Sequence, residues 1–256
     1  MNYLNSGQIE KYKKNGFLIV KNVFSIKECD ELKQELIQEI KKGKDILKKS
    51  STEATKDVDY NKLADIPRLI NNGFLQDIAH RNSTFMALAK DSRLISIISQ
   101  FFGNDVQAFR LYRSLSTFKN SAIISKSKMH QDMPYWKGKS NKLSVWISLN
   151  KATKHNGCLI FYPGSHTKFE KHSINKKQKG KEAIYMDIKE LDESQKVISE
   201  TDIGDIIIFH SCVIHGSEKN ILREERYALT FTYQPATDNS HHRNGSAELI
   251  EKRANN

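Results

Sequence analysis

The chain has 256 residues, 41 basic against 30 acidic side chains for a net charge of +11, and a hydrophobic share of 38%. That is enough apolar sequence for one core, but no run approaches the roughly 20 residues that span a bilayer, and the N-terminus lacks the apolar stretch of a secretory signal. Three scattered cysteines, Cys29, Cys158 and Cys212, argue against a disulfide framework and for a reducing compartment, so the cytoplasm is the expected location.

In chain order, the run Tyr12 to Val20 holds a first strand, Phe17-Leu18-Ile19-Val20. Ser25 with Glu28 forms a capping box, and Ile26, Cys29, Leu32, Leu36 and Ile40 recur every three or four residues. This spacing predicts an amphipathic helix over residues 25–42. Residues 43–60 are rich in Lys, Ser, Thr and Asp with little periodicity, and read as a loop that could close over a site. Helical spacing returns over residues 62–102, through Phe85, Leu88, Ala89, Ile95, Ile98 and Phe101. From Val106 onward, short β-type runs are separated by turn signals such as Asn156-Gly157 and Pro163-Gly164, as in a jelly roll. The expected organisation is one domain: a helical layer with the first strand over about 1–103, a barrel core over about 104–236, and a frayed polar tail over 237–256.

Two segments carry chemistry. The first is Met129-His130-Gln131-Asp132-Met133-Pro134. In an extended segment His130 and Asp132 share one face, and Pro134, which cannot donate to a sheet ladder, puts the pair at a strand end. The second is Gly204-Asp205-Ile206-Ile207-Ile208-Phe209-His210, a turn and a buried strand that deliver Ser211 to His215 to a rim. His215 is the expected third ligand and His210 its rival; Gly216 next to His215 offers close approach, and Ser217 a hydroxyl. Two imidazoles and one carboxylate with an open opposite side suit non-haem Fe(II).

Arg226 opens the alternating run Arg226-Tyr227-Ala228-Leu229-Thr230-Phe231-Thr232-Tyr233, which reads as a strand. An inward Arg is costly unless paired, and a guanidinium matches a carboxylate bidentately, so Arg226 is the expected clamp for the far carboxylate of 2-oxoglutarate. Arg223 is the competitor. Tyr112, Arg113, Tyr135 and Trp136 flank the first motif as candidate pocket residues.

These segments, in this order, resemble the phytanoyl-CoA dioxygenase family of iron(II)- and 2-oxoglutarate-dependent oxygenases. The resemblance runs from Tyr12–Val20 through the helical stretch Phe85–Phe102, His130-Gln131-Asp132, Asn156-Gly157-Cys158-Leu159, Pro163-Gly164-Ser165-His166 and Gly204-Asp205 to His215-Gly216-Ser217, Asn220 and Arg226. It implies a mainly β fold, a double-stranded β-helix (jelly-roll, cupin-like) core with N-terminal helices packed on it. It further implies His130, Asp132 and His215 as iron ligands, Arg226 and Ser217 as 2-oxoglutarate contacts, and Gln131 and Trp146 as further pocket residues. The implied reaction uses Fe(II), 2-oxoglutarate and dioxygen to hydroxylate a carbon of a small organic substrate, with release of succinate and CO2. Asp132 occupies the position that halogenating relatives leave open for halide, which favours hydroxylation, or a desaturation or ring closure begun the same way, over halogenation.

The positive charge is spread in pieces such as Lys41-Lys42-Gly43-Lys44 and Lys176-Lys177, rather than gathered on one element with interleaved aromatics. That speaks against a nucleic-acid partner and leaves an electrostatic preference for small anionic substrates. Two other readings stay open: a cupin-like barrel that holds a metal without oxygenase chemistry, and an oxygenase acting on a macromolecule. The long N-terminal region and the loop His166–Lys189 are where substrate selectivity is expected to reside.

Overall fold

A computed structural model describes residues 3–52, 73–103, 106–120, 126–138, 141–170, 191–240 and 248–251. Its first helix, α1 (Ser6–Asn15), is capped by the Asn5 side chain and ended by Gly16 at φ 79, a backbone angle glycine adopts without strain. Strand β1 (Phe17–Val20) comes next, and then α2 (Ile26–Thr52). The capping box forms as read: Ser25 N–H donates to Glu28 Oε2 at 2.8 Å and Glu28 N–H to Ser25 Oγ at 3.2 Å. Cys29, Leu32, Leu36 and Ile40 are buried along one side of the helix.

Helix α2 continues past residue 42 to Thr52, where a loop is expected. The stretch 43–52 holds Lys44, Leu47, Lys48 and Lys49 among weaker helix formers such as Gly43, Ser50, Ser51 and Thr52, so the helix runs on where neither periodicity nor composition called for it. Residues 53–60 of the expected loop lie outside the described residues, as do 171–189 of the loop expected to set selectivity. A short strand β2 (Phe74–Gln76) precedes three short helices, α3 (Ile78–Arg81), α4 (Ser83–Ala89) and α5 (Ser92–Ser99). The break before α5 has a local cause. Asp91 accepts the Arg93 N–H at 2.8 Å as an N-cap, which starts a new helix rather than continuing the last.

The rest is antiparallel sheet: β3 (Ala108–Lys119), β4 (Ser127–His130), β5 (Leu143–Ser148), β6 (Leu159–Phe161), β7 (Val197–Ser199), β8 (Ile206–His210), β9 (His215–Ser217), β10 (Arg226–Pro235) and β11 (Glu248–Glu251). The large sheet runs β1-β8-β5-β10-β3-β11, with β2 also on β3; the small sheet runs β4-β9-β6-β7. β11 falls in the tail expected to fray, and instead pairs with β3 from Glu248↔Leu111 to Glu251↔Ala108. The architecture is the jelly roll expected from the sequence, with helices on the outside of the large sheet.

Period-two alternation splits the large sheet into two faces. One set of side chains, including Leu18, Val145, Ile147, Ile206, Ile208, Leu229 and Phe231, joins the helices in one apolar cluster. The alternate set, including Phe17, Trp146, Ile207, Phe209 and Ala228, meets Phe161 of the small sheet in a second cluster. Phe17 and Phe161 stack with ring centroids 4.3 Å apart. This second, inner face carries the candidate site.

Candidate active site

His130 and His215 stand opposite one another in the β4–β9 ladder, with ring centroids 4.4 Å apart. Each Nδ1 is held by a main-chain carbonyl two residues earlier: His130 by Lys128 at 2.8 Å and His215 by Val213 at 3.0 Å. Those bonds turn both Nε2 atoms toward the same space and fix the tautomer a metal needs. Asp132 reaches that space from the turn after β4, where the Asp132 and Met133 N–H groups both donate to the Ser211 carbonyl, at 2.9 and 3.0 Å. Its two oxygens lie 3.5 Å from His130 Nε2 and 3.7 Å from His215 Nε2.

One donor atom from each of the three side chains lies within 4.8 Å of the others, and among the described residues no other group of three His, Cys, Asp or Glu side chains forms such a cluster. Burial pushes the His215 imidazole down to about 4, with the neighbouring His130 adding to the effect. At Asp132 burial works against the charge, but the two imidazoles outweigh it and hold the carboxyl below the usual carboxylate range. Two imidazoles and one ionised carboxylate are a donor set that fits a divalent first-row metal.

His210, the rival ligand, is not in this cluster. Its Nδ1 accepts the Cys212 N–H at 3.0 Å, and burial pushes it down to about 4, with His166 next in effect. The role expected of Gly216 is also revised. A Cβ there would meet the Ser127 carbonyl oxygen at 2.7 Å and Met129 at 2.9 Å, so the missing side chain lets β9 approach β4 rather than a ligand.

Arg226 lies at the start of β10 on the inner face, 2% exposed. Its guanidinium sits over the Trp146 ring, 5.5 Å from the centroid, and its Nε and one terminal nitrogen are buried with no hydrogen-bond partner. Burial lowers its affinity for the proton to about 10, an unusual depression for a guanidinium, and a sign of a charge that still lacks its counter-ion. Arg223, the competitor, is exposed in the preceding turn. Trp146 therefore lies against the Arg226 guanidinium.

Gln131 is placed differently from its expected role. It is fully buried, its Nε2 is 2.6 Å from the Cys212 carbonyl and 2.7 Å from that of Lys168, and its Oε1 accepts the Glu170 N–H at 2.9 Å. The amide pins the loops around the site.

Ser217 is buried, and its Oγ accepts a hydrogen bond from Lys119 Nζ at 2.7 Å. Lys119 is the residue that sequence reasoning missed. The available signal was the alternation Arg113, Leu115, Thr117, Lys119 along β3, which puts two cations on the face that Arg226 shares by register. Arg113, opposite Thr232 on β10, has a buried Nε without a partner. Tyr112 packs against Trp136 with centroids 5.4 Å apart and accepts the Lys137 N–H at 2.9 Å, which anchors the turn after the motif.

The family model described as phytanoyl-CoA dioxygenase (PhyH) matches residues 12–226. The peroxisomal phytanoyl-CoA dioxygenase of Rattus norvegicus is 26% identical over 91% of this chain and 69% of its own length. A phytanoyl-CoA dioxygenase domain-containing protein 1 homolog of Dictyostelium discoideum is 26% identical over 90% of this chain and 91% of its own length. Among solved structures, the epimerase SnoN in complex with Fe3+, alpha ketoglutarate and nogalamycin RO superposes with a TM-score of 0.67 at 18% identity, covering 97% of this chain and 95% of SnoN. EvdO2 from Micromonospora carbonacea var. aurantiaca, complexed with 2-oxoglutarate, gives 0.64 at 17% identity over 95% and 94%. Among the described residues no helix is long and apolar enough to cross a membrane.

Proposed function

The chain belongs to the phytanoyl-CoA dioxygenase family and is a non-haem iron, 2-oxoglutarate-dependent oxygenase; from that premise we propose that His130, Asp132 and His215 hold Fe(II), that Arg226 and Ser217 hold 2-oxoglutarate, and that the enzyme hydroxylates a carbon of a small anionic organic substrate. The observation that carries this reading is the buried Arg226 guanidinium, with two nitrogens that have no hydrogen-bond partner, on the inner sheet face, together with the His130–Asp132–His215 cluster. A metal barrel without a carboxylate co-substrate has no use for such a group, since an uncompensated buried charge costs several kcal/mol, of order 3–5 when a partner is removed.

Bound iron supplies dioxygen activation coupled to conversion of 2-oxoglutarate into succinate and CO2. The protein's own residues divide the remaining work. His130 and His215, locked through Nδ1, present Nε2; Asp132 adds the anionic donor; Arg226 fixes one end of the co-substrate against Trp146, whose ring helps exclude water from that end. With the acidic ligand position filled by Asp132, no protein-derived opening is left for halide, and this supports hydroxylation over halogenation.

Arg113 supports the anionic substrate. It lies on the same inner face as Arg226, six positions from Lys119 along β3 and so about 20 Å away at that strand rise, and its charge is felt at His130, Asp132 and His215. The overall charge of +11 works in the same sense.

The test is succinate formation by the Fe(II)-loaded protein under air, measured by mass spectrometry, in wild type and Asp132→Ala. Wild type forms succinate, slowly without a substrate present, and Asp132→Ala falls to the no-enzyme rate. Equal succinate from the two proteins would remove Asp132 from the ligand set.

A further inference from the structure

We propose that Lys119 is a second cation of the co-substrate pocket, contacting the distal carboxylate of 2-oxoglutarate beside Arg226 and orienting Ser217 as a donor to it. This rests on the proposed binding of 2-oxoglutarate in that pocket, and it assigns a charged partner that neither the motifs nor the family resemblance supplied.

The first observation is register. Arg226 and Lys119 are direct Cα partners in the antiparallel β10–β3 ladder, so both side chains project from one face, with Cβ atoms about 5 Å apart as such pairs are. Lys119 is 4% exposed and Arg226 2%. Like charges directly opposite in a ladder are destabilising even at a surface, and buried they are more so. An anion placed between the two side chains answers such a pair.

The described residues give no buried carboxylate for that purpose. Glu218 is the nearby acid, and its side chain is 46% exposed and paired with Lys126 at 2.7 Å. What Lys119 meets is neutral: its Nζ donates to Ser217 Oγ at 2.7 Å and to the Glu218 carbonyl at 2.6 Å. An ammonium has three hydrogens, and the third has no acceptor among these contacts. A dicarboxylate whose far end enters here answers both cations at once.

The second observation is the state of Ser217. Once an arriving carboxylate holds Lys119 as the ammonium, Nζ cannot accept, so the Lys119–Ser217 bond makes Oγ the acceptor and leaves the hydroxyl hydrogen free to donate. Lys119 therefore sets the donor role that Ser217 needs toward a carboxylate. The stem of Lys119 is fixed too. Gly157, at φ +84, lies so close that a Cβ there would meet Lys119 Cδ at 3.0 Å.

Electrostatics supply a readout that packing alone would not. Burial, then the charge of Arg226, push Lys119 down to about 7, against smaller opposing pulls from Glu218 and Cys158. Those three, with the neutral Ser217 and the Asn220 amide that donates to the Lys119 carbonyl, are the groups that face it. A carboxylate arriving between the two cations raises the ammonium's hold on its proton, so 2-oxoglutarate binding near pH 7.5 takes up part of a proton.

The experiment is anaerobic calorimetry of the Fe(II)-loaded protein with 2-oxoglutarate at pH 7.5, in buffers of different ionisation enthalpy, on wild type, Lys119→Met and Lys119→Arg. Wild type binds with fractional proton uptake. Lys119→Met binds about tenfold or more weakly, the loss of one charge-assisted hydrogen bond, with unchanged iron stoichiometry. Lys119→Arg, permanently charged, recovers most of the affinity, and both variants lose the proton uptake. Equal affinity and equal proton uptake in wild type and Lys119→Met would overturn the assignment, as would Lys119→Arg binding no better than Lys119→Met, which would mark a packing role. Failure of iron-loaded wild type to bind 2-oxoglutarate would instead strike the co-substrate reading itself.

Discussion

The two faces of the large sheet are built from the same strands, residue by residue in alternation, yet they are opposites. The outer face packs Leu229, Phe231, Val145, Ile147, Ile206 and Ile208 against helices, and its buried Tyr233 hydroxyl is satisfied by the Ala89 carbonyl at 2.8 Å. The inner face holds Arg226, Lys119 and Arg113, two of them with buried unpartnered nitrogens, next to a cluster of three metal-competent side chains. The outer face stabilises the fold, and the inner face carries buried cationic nitrogens that have no hydrogen-bond partner among the described residues. Conflicts between stability and sequence are expected to gather at sites of function.

The largest way to break this contrast is on the outer face. Phe231→Ala removes a fully buried ring and costs about 3–5 kcal/mol of stability, read by chemical denaturation, while the folded fraction keeps its iron stoichiometry and 2-oxoglutarate affinity. On the inner face the signs reverse. Arg113→Gln leaves the denaturation midpoint within about 0.5 kcal/mol and raises the KM for an anionic substrate about tenfold, or about 1.4 kcal/mol, with the KM for 2-oxoglutarate unchanged. The smallest effect sharpens the point: Arg226→Met, which replaces a buried unpaired cation by an apolar chain of similar length, leaves the ligand-free protein as stable or about 1 kcal/mol more so. A loss of several kcal/mol in that variant would mean that Arg226 is already answered within the folded chain.

Much of this was legible in the sequence, and for identifiable reasons. His130 and Asp132 were readable as a pair at a strand end before Pro134, although β4 stops at His130 and Asp132 comes to the site from the turn rather than by strand alternation. His215 was readable because a buried run ending at a rim must carry the next few residues to that rim. The capping box of Ser25 and Glu28 is a local hydrogen-bond pattern that needs no tertiary context. The features that escaped depend on partners distant in the chain. β2 and β11, with three and four residues, are strands only because β3 offers an edge to pair with. Gly216 looked like an approach to a ligand, and its true neighbour is β4. Gln131 sits between His130 and Asp132, yet the structure turns its amide into main-chain bonds with Cys212 and Glu170. Lys119 reads as one surface lysine among many until register sets it opposite Arg226.

The central claim is that one cluster holds iron while the inner-face guanidinium holds the far end of 2-oxoglutarate. Anaerobic titration of the Fe(II)-loaded protein with 2-oxoglutarate, monitoring the weak visible charge-transfer absorption that chelation produces, tests it most directly in wild type and Arg226→Met. The expected result is a band that saturates in wild type, and that Arg226→Met forms with the same final intensity but only at about 100-fold higher 2-oxoglutarate, the loss of a charge-assisted, bidentate contact of about 3 kcal/mol. Superimposable titrations of the two proteins would contradict the claim.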